Sequence, residues 1–327
     1  MFETIENFNN KEDNKNMLEV VNKEKEIEVR KCILGLEKHL KRKLFCMIQI
    51  DDSIDYPLFF KISECLDALK LSPGGYFKNI VKLEKNQDLP ISILISSSGG
   101  DIDAAYKIVN AFYEITQDIE MIVFDAAKSA ATFICLGARK IHMSIGSELG
   151  PLDAQLRDPS GFSEPKSAIN SFKSLEYLRQ YTLETLNQIV LLLINKARMD
   201  VPYALKNARH FVRDIVNPLY NQIDPMELGD SRRKLAIAER YSKIIMRRYG
   251  YSDYSERKIN DIVKELVWGY PSHGFVIDIQ EAKSLGLKVE LLDDKSTKIC
   301  DNISMGAFGC IGYLNIEKEE ELNGKEQ

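Results

Sequence analysis

The sequence predicts an α/β fold built on a mainly parallel sheet. Three observations carry that prediction. The run ISILISSSGGD, starting at Ile91, is continuously apolar until it meets a Ser/Gly cluster, and IEMIVFD, starting at Ile119, is a second run of the same kind. Runs this short, apolar on both faces, are the pattern of strands buried in a parallel sheet. Between them AAYKIVNAFYEI carries Ile108, Val109, Phe112 and Ile115 on one side, which is helical spacing. Strand and helix patterns alternate along this part of the chain, and the alternation puts helices outside the sheet.

The elements follow in order. Residues 1–25 are rich in Asn, Glu, Lys and Asp with few apolar anchors and are expected to be loosely ordered. A helix is expected over about Glu26–Arg42, then a strand in KLFCMIQID. PLFFKISECLDALKL has helical spacing through Phe60, Ile62, Cys65, Leu66 and Leu69. After the two apolar strands a short helix is expected from about Ala130 to Leu136. KIHMS is a short strand and SELGPLDAQL a loop broken by Gly and Pro. A long amphipathic helix runs over Ser171–Arg198, with Phe172, Leu175, Leu178, Leu183, Leu186, Ile189, Val190 and Leu193. Further helices are expected over about Val201–Val216, Ser231–Tyr249 and Ser255–Trp268. GYPSHGFVID gives a turn and short strand, QEAKSLGL a helix closed by Gly286, and KVELL a last strand. The chain after Asp293 is mixed, and its end, IEKEEELNGKEQ, reads as solvated.

Composition excludes several classes. Net charge is −5, and no stretch joins Lys/Arg clusters to stacking aromatics, so nucleic acid is not an expected partner. RRKLAIAERYSKIIMRR is a mixed-charge, solvated helix face. The six cysteines (Cys32, Cys46, Cys65, Cys135, Cys300, Cys310) form no C-x-x-C pair and read as reduced thiols of a cytoplasmic protein. The polar, acidic start is unlike a signal peptide, and the apolar run Ile189–Ile194 is too short to span a bilayer, so no transmembrane segment is expected. The four histidines are scattered, with no H-E-x-x-H spacing, so neither a metal nor a cofactor is expected. Without G-x-x-x-x-G-K-[ST] the chain is not expected to hydrolyse ATP itself.

Chemistry is concentrated at two strand ends, SSSGGD and DAAKSA, where parallel sheets place their sites. Acyl transfer needs a nucleophilic oxygen and N–H donors aimed at the carbonyl oxygen as it turns negative. Ser129, at a helix start, suits the nucleophile. The N–H of Ala130 is one of the unpaired donors at a helix N-terminus. Gly99–Gly100 allows close approach of a substrate backbone and unusual φ/ψ. The plain alternative is a Gly-Gly turn and a serine that caps its helix.

ILISSSGGDIDAAYKIVNAF, AKSAATFICLGARKIHMSIGSELGPLDAQL and YPSHGFVIDIQEAKSLGLKV together resemble the serine dehydrogenase proteinase (SDH) family. These are Clp-fold serine peptidases related to the proteolytic subunit of the Clp protease and to signal peptide peptidase A, within the wider crotonase-like superfamily. The resemblance covers about Ile91–Gln155 and Asn217–Val289. It implies a ClpP/crotonase-like fold of repeated ββα units with a mainly parallel sheet and an added helical extension. In domain terms, 1–35 is a polar, loosely ordered or helical segment. Residues 36–293 form the catalytic domain, with a helical insertion at about 199–268, and 294–327 is a tail. The resemblance further implies a serine endopeptidase-like hydrolase acting on a peptide or protein substrate, and assembly as a homo-oligomer. Ser129 stands where the family's nucleophile stands, and Gly100 and Ala130 where its oxyanion-hole amides stand. Gly99 and Lys128 are expected to bind substrate.

The general base departs from the Clp protease pattern, in which a histidine follows the next strand. Here that loop, GSELGPLDAQL, contains no histidine, and Leu152 and Asp153 occupy its place. His273 lies near the place of the third triad member and can serve as base, with Asp153 orienting it. Lys166 falls where signal peptide peptidase-like enzymes place a dyad lysine, and Lys128, beside Ser129, is the third candidate. The missing loop histidine keeps open a catalytically inactive Clp-fold scaffold or peptide-binding protein. Crotonase-type acyl-CoA chemistry shares the two-amide hole but is disfavoured by a serine at the nucleophile's place.

Overall fold

The structure, a computed structural model, describes residues 23–48, 53–71, 90–153, 155–156, 166–306 and 311–313. The expectations for residues 1–22, for Cys310 and for the terminal IEKEEELNGKEQ lie outside these residues. The chain divides into two compact units. One contains the described residues up to Pro151, Ser242–Val263 and Gly274 onward; the other contains Leu152–Tyr241 and Lys264–His273.

The first unit is built on the expected sheet. Its strands are β1 (Lys43–Ile48), β2 (Ile91–Ser97), β3 (Ile119–Ala127), β4 (Lys140–Met143) and β5 (Glu148–Leu149), joined later by β8 (Val289–Leu291) and β9 (Ile311–Tyr313). The order is β8–β4–β3–β2–β1–β9, with β5 beside the end of β3. Every pairing in it is parallel except β1 with β9. Alternation sends successive side chains of each strand to opposite layers. Leu44, Cys46, Ile48, Leu94 and Ile122 meet Val29, Ile33 and Leu36 of α1 (Lys23–Leu40) and Cys300 and Ile303 of α10 (Asp294–Gly306). Phe45 turns the other way, edge-on to Phe112 of α3 (Ile102–Tyr113) at 4.9 Å. α2 (Tyr56–Leu71) packs on α3, and α4 (Ala130–Cys135) also packs against α3. Each fully buried Leu, Ile or Phe here contributes about 1.5–3 kcal/mol. The five described cysteines are free thiols, four of them buried.

Caps set the helix starts. Asp101 follows the diglycine in extended conformation, and its carboxylate accepts from Ala104 N–H at 2.8 Å, opening α3. Asp278 accepts from Gln280 and Glu281 N–H to open α9 (Ile279–Leu285), and Gly286, φ 89°, closes it as expected. The chain after Asp293 differs from the expected tail: it forms α10, whose Cys300 and Ile303 are fully buried, and the edge strand β9. Asp293 caps α10 by accepting from Ser296 N–H at 3.0 Å.

The second unit starts with a two-stranded antiparallel ladder, β6 (Gln155–Leu156) with β7 (Lys166–Ser167). Then come α5 (Ala168–Asn195), α6 (Val201–Tyr220) and most of α7 (Pro225–Arg248). α6 lies along α5, and its buried residues Ala204, Ala208, Val212 and Val216 recur every four positions. α8 (Glu256–Lys264), which belongs to the first unit up to Val263, does not run on to Trp268 as an α-helix. It widens into one π turn, Glu265–Gly269, which delivers the chain to His273.

Candidate active site

In the first unit, β3 and α4 meet in a tight turn with Ser129 at its apex. Ser129 has φ 50° and ψ −115°, a conformation L-residues adopt at a cost of about 1–3 kcal/mol. The serine does not cap its helix, for its side chain makes no capping hydrogen bond. The residue is partly exposed. Ala131 N–H donates to Lys128 O at 2.8 Å and Phe133 N–H to Ser129 O at 3.0 Å, which closes the turn. Thr132 braces it: its hydroxyl donates to Ala127 O at 2.6 Å and accepts from Gly150 N–H at 3.0 Å. Ala130 and Ala131 are buried beneath.

The diglycine lies against this turn. A Cβ on Gly99, φ 104°, would stand 2.8 Å from Ser129 Cβ and 2.6 Å from Lys128 O. A Cβ on Gly100 would stand 2.2 Å from Ile54 O, so neither position admits a side chain without displacing backbone. Ile54 N–H donates to Gly99 O at 2.8 Å and Asp101 N–H to Ile54 O at 2.6 Å. Ser97 ties the two strand ends, accepting from Lys128 N–H at its carbonyl (3.0 Å) and from Gly99 N–H at its hydroxyl (3.2 Å). Among the described residues nothing accepts from the N–H of Gly100 or of Ala130.

Lys128 precedes Ser129 in the same turn. Its ammonium forms an ion pair with Glu148 at 2.6 Å, and its aliphatic chain passes where a Cβ on Gly150 would stand, 2.7 Å from Cδ. Cys135, in α4, offers no rival nucleophile: burial pushes its thiol up, far from thiolate formation at neutral pH.

In the second unit Asp153 and His273 come together. Asp153 is 2% exposed, and its Oδ1 accepts from His273 Nδ1 at 2.8 Å. The remaining oxygen, Oδ2, accepts from the hydroxyl of Ser167. Leu152 N–H donates to Leu266 O at 2.8 Å, which ties the segment carrying Asp153 to the turn that leads to His273. A carboxylate on Nδ1 leaves Nε2 as the nitrogen able to take a proton. Lys166, the alternative base, lies in β7 opposite Leu156. Sequence reasoning missed Ser167 and Thr132. A small hydroxyl whose partner is 14 residues away has no local pattern, although Ser167 also caps α5, accepting from Ile169 N–H, which is a readable N-cap signal.

Among the described residues no cluster of His, Cys, Asp or Glu could hold a metal ion, and no helix is long and apolar enough to cross a membrane.

A mostly parallel sheet with flanking helices, carrying a strained serine at a strand end beside a diglycine turn, is a ClpP-like α/β fold. The family model for ClpP-like SDH-type serine proteinases matches residues 17–202, more than half of the chain, and the chain belongs to that family. The match contains Gly99, Gly100, Ser129, Asp153 and Ser167 and stops short of His273. The chain is 21% identical over 313 residues to MJ1495, an uncharacterized protein of Methanocaldococcus jannaschii, covering 90% of this chain and 85% of that one. It is 25% identical over 204 residues to MJ0137, an uncharacterized protein of the same organism; the match spans 62% of this chain and about half, 54%, of that one. Among solved structures, a mutant of the 1510-N membrane-bound stomatin-specific protease is similar at 17% identity and a TM-score of 0.27, over 50% of this chain and 69% of that one.

Proposed function

We propose that this chain is a serine peptidase that hydrolyses peptide bonds through an acyl-enzyme on Ser129. The observation that carries the reading is the backbone of Ser129. A costly φ, with the hydroxyl left unused as a cap, is what a nucleophile held at a strand-to-helix turn needs. His273 is the general base in this reading, and Asp153 orients it. Lys128, paired with Glu148, is left as a structural neighbour.

The reaction runs in two balanced halves. Ser129 Oγ bonds to the scissile carbonyl carbon while its proton passes to His273 Nε2, and the π pair moves onto the carbonyl oxygen. The N–H groups of Gly100 and Ala130 receive that oxyanion. Their preorganisation is worth roughly two orders of magnitude per donor. The tetrahedral carbon then expels the amine, which takes the proton from His273 Nε2, and the acyl group stays on Oγ. Water repeats the sequence, giving its proton to Nε2, and hydrolysis of the ester restores Ser129. No nucleotide enters either half. The substrate is a peptide or protein chain, following the family, and the working form is a homo-oligomer.

A quenched-fluorescence peptide library, assayed with wild-type protein, Ser129→Ala and His273→Ala, tests the reading. We expect wild-type turnover and losses of roughly 10³-fold or more in both variants. Equal activity in wild type and Ser129→Ala would end the peptidase reading. It would leave the Clp-fold scaffold or peptide-binding alternative.

A further inference from the structure

We propose that Ser167 is a positioning residue of the Asp153–His273 pair: its hydroxyl fixes the carboxylate and, through it, the imidazole tautomer. Its catalytic consequence rests on the peptidase reading; the positioning itself does not.

Asp153 is almost wholly buried, and both of its oxygens are engaged, Oδ1 with His273 Nδ1 and Oδ2 with the Ser167 hydroxyl. An ionised carboxylate only accepts, so the ring nitrogen facing Oδ1 carries the hydrogen and Nε2 keeps its lone pair. With the second donor removed, Oδ2 is a buried acceptor without a partner. The carboxylate is then free to turn toward another donor, and the imidazole loses its fixed neighbour.

Three restraints direct the Ser167 hydroxyl at Asp153. β7 pairs with β6 so that Ser167 stands opposite Gln155, two residues beyond Asp153. Ser167 Oγ accepts from Ile169 N–H at 3.3 Å as the N-cap of α5, which occupies a lone pair and leaves the O–H to donate. The residue is 7% exposed, so bulk water does not replace the contact. A serine present only to cap α5 would need the Ile169 contact and nothing from Asp153.

The test uses the full-length protein and ring-nitrogen correlation spectra of its histidines, with His273→Ala assigning the signal. The wild type is expected to show His273 protonated at Nδ1 and bare at Nε2. Ser167→Ala is expected to give a mixed population with a several-fold larger Nε2–H share, and Ser167→Thr to restore the original. Ser167→Gly keeps a good N-cap while deleting the hydroxyl, so it replaces Ser167→Ala should that variant fail to fold. In turnover, Ser167→Ala is expected to lower kcat roughly 10- to 100-fold, the value of a hydrogen bond to a charged group, with KM within about twofold. In the Asp153→Asn background the same change is expected to add nothing, because its route to the reaction is gone. An unchanged tautomer in folded Ser167→Ala or Ser167→Gly would overturn the proposal, as would fully additive losses in the double variant. If the wild type shows no Ser129-dependent turnover, the peptidase reading falls, and the spectra still decide the role of Ser167.

Discussion

Ser129 bears a cost that its neighbours do not, and that cost can be measured. At φ 50° and ψ −115° a glycine is relaxed where a serine is strained. Ser129→Gly is therefore expected to raise the unfolding free energy by about 1 kcal/mol while abolishing turnover, a trade that chemical denaturation and the peptide assay read together. A drop in stability would mean the serine is held there by contacts rather than against its own preference. Gly100→Ala is expected to act the other way, since its Cβ would land 2.2 Å from Ile54 O; a loss of about 2 kcal/mol or more follows if that backbone must move. At this scale the sequence was readable wherever the signal is local. Ser129, Gly99 and Gly100 stand out because a strand end and a helix start lie within two or three residues of them. Ser167, Thr132 and the Glu148 that engages Lys128 do not, because their roles exist only once partners 5 to 20 residues away are folded against them. Asp153 and His273 were paired by resemblance, across 120 residues, and no spacing rule would have joined them.

The elements were legible in proportion to their length and the continuity of their apolar runs. β2 and the first half of β3 are largely buried, and their Ile, Leu, Met and Val residues marked them. The two-residue strands β5, β6 and β7 fell inside a Gly/Pro-rich stretch that reads as loop, and too few residues carry a period. α7 begins at Pro225 and not near Ser231. Asp224 accepts from Met226 N–H at 2.8 Å, and proline at the first helical position is a start signal. α10 was the largest miss, because its sequence is polar except for the few residues it buries against α1. Asp293 makes that helix pH-sensitive. Partial burial alone would raise its carboxyl, but hydrogen bonds from Ser296 and His39 outweigh burial and hold it at about 2, below its ordinary 3.8. The folded value is depressed, so this contribution is complete above pH 3.8 and disappears as pH falls toward 2. Acid unfolding of Asp293→Asn is expected to show a shallower loss over that window than wild type. Parallel curves would show that the cap contributes nothing there.

For the whole molecule, the family match ends at residue 202, and His273 comes 71 residues later. The second unit also exposes large apolar side chains, among them Tyr177, Leu183, Leu192, Tyr203 and Phe211, each more than half exposed. Such a surface on a folded protein is costly to leave in water, and we expect self-association. Light scattering coupled to size exclusion should give a mass of at least two chains at micromolar concentration. Charged replacement of Tyr203 and Phe211 should lower it, and a monomer under both conditions would contradict the expectation. Whether position 129 carries an activated nucleophile is decided by treating the native protein with a fluorophosphonate and mapping the adduct by mass spectrometry. We expect one adduct per chain, on Ser129, lost in Ser129→Ala and formed at least tenfold more slowly in His273→Ala. A protein that stays unmodified at Ser129, or is modified there equally fast without His273, would contradict that expectation.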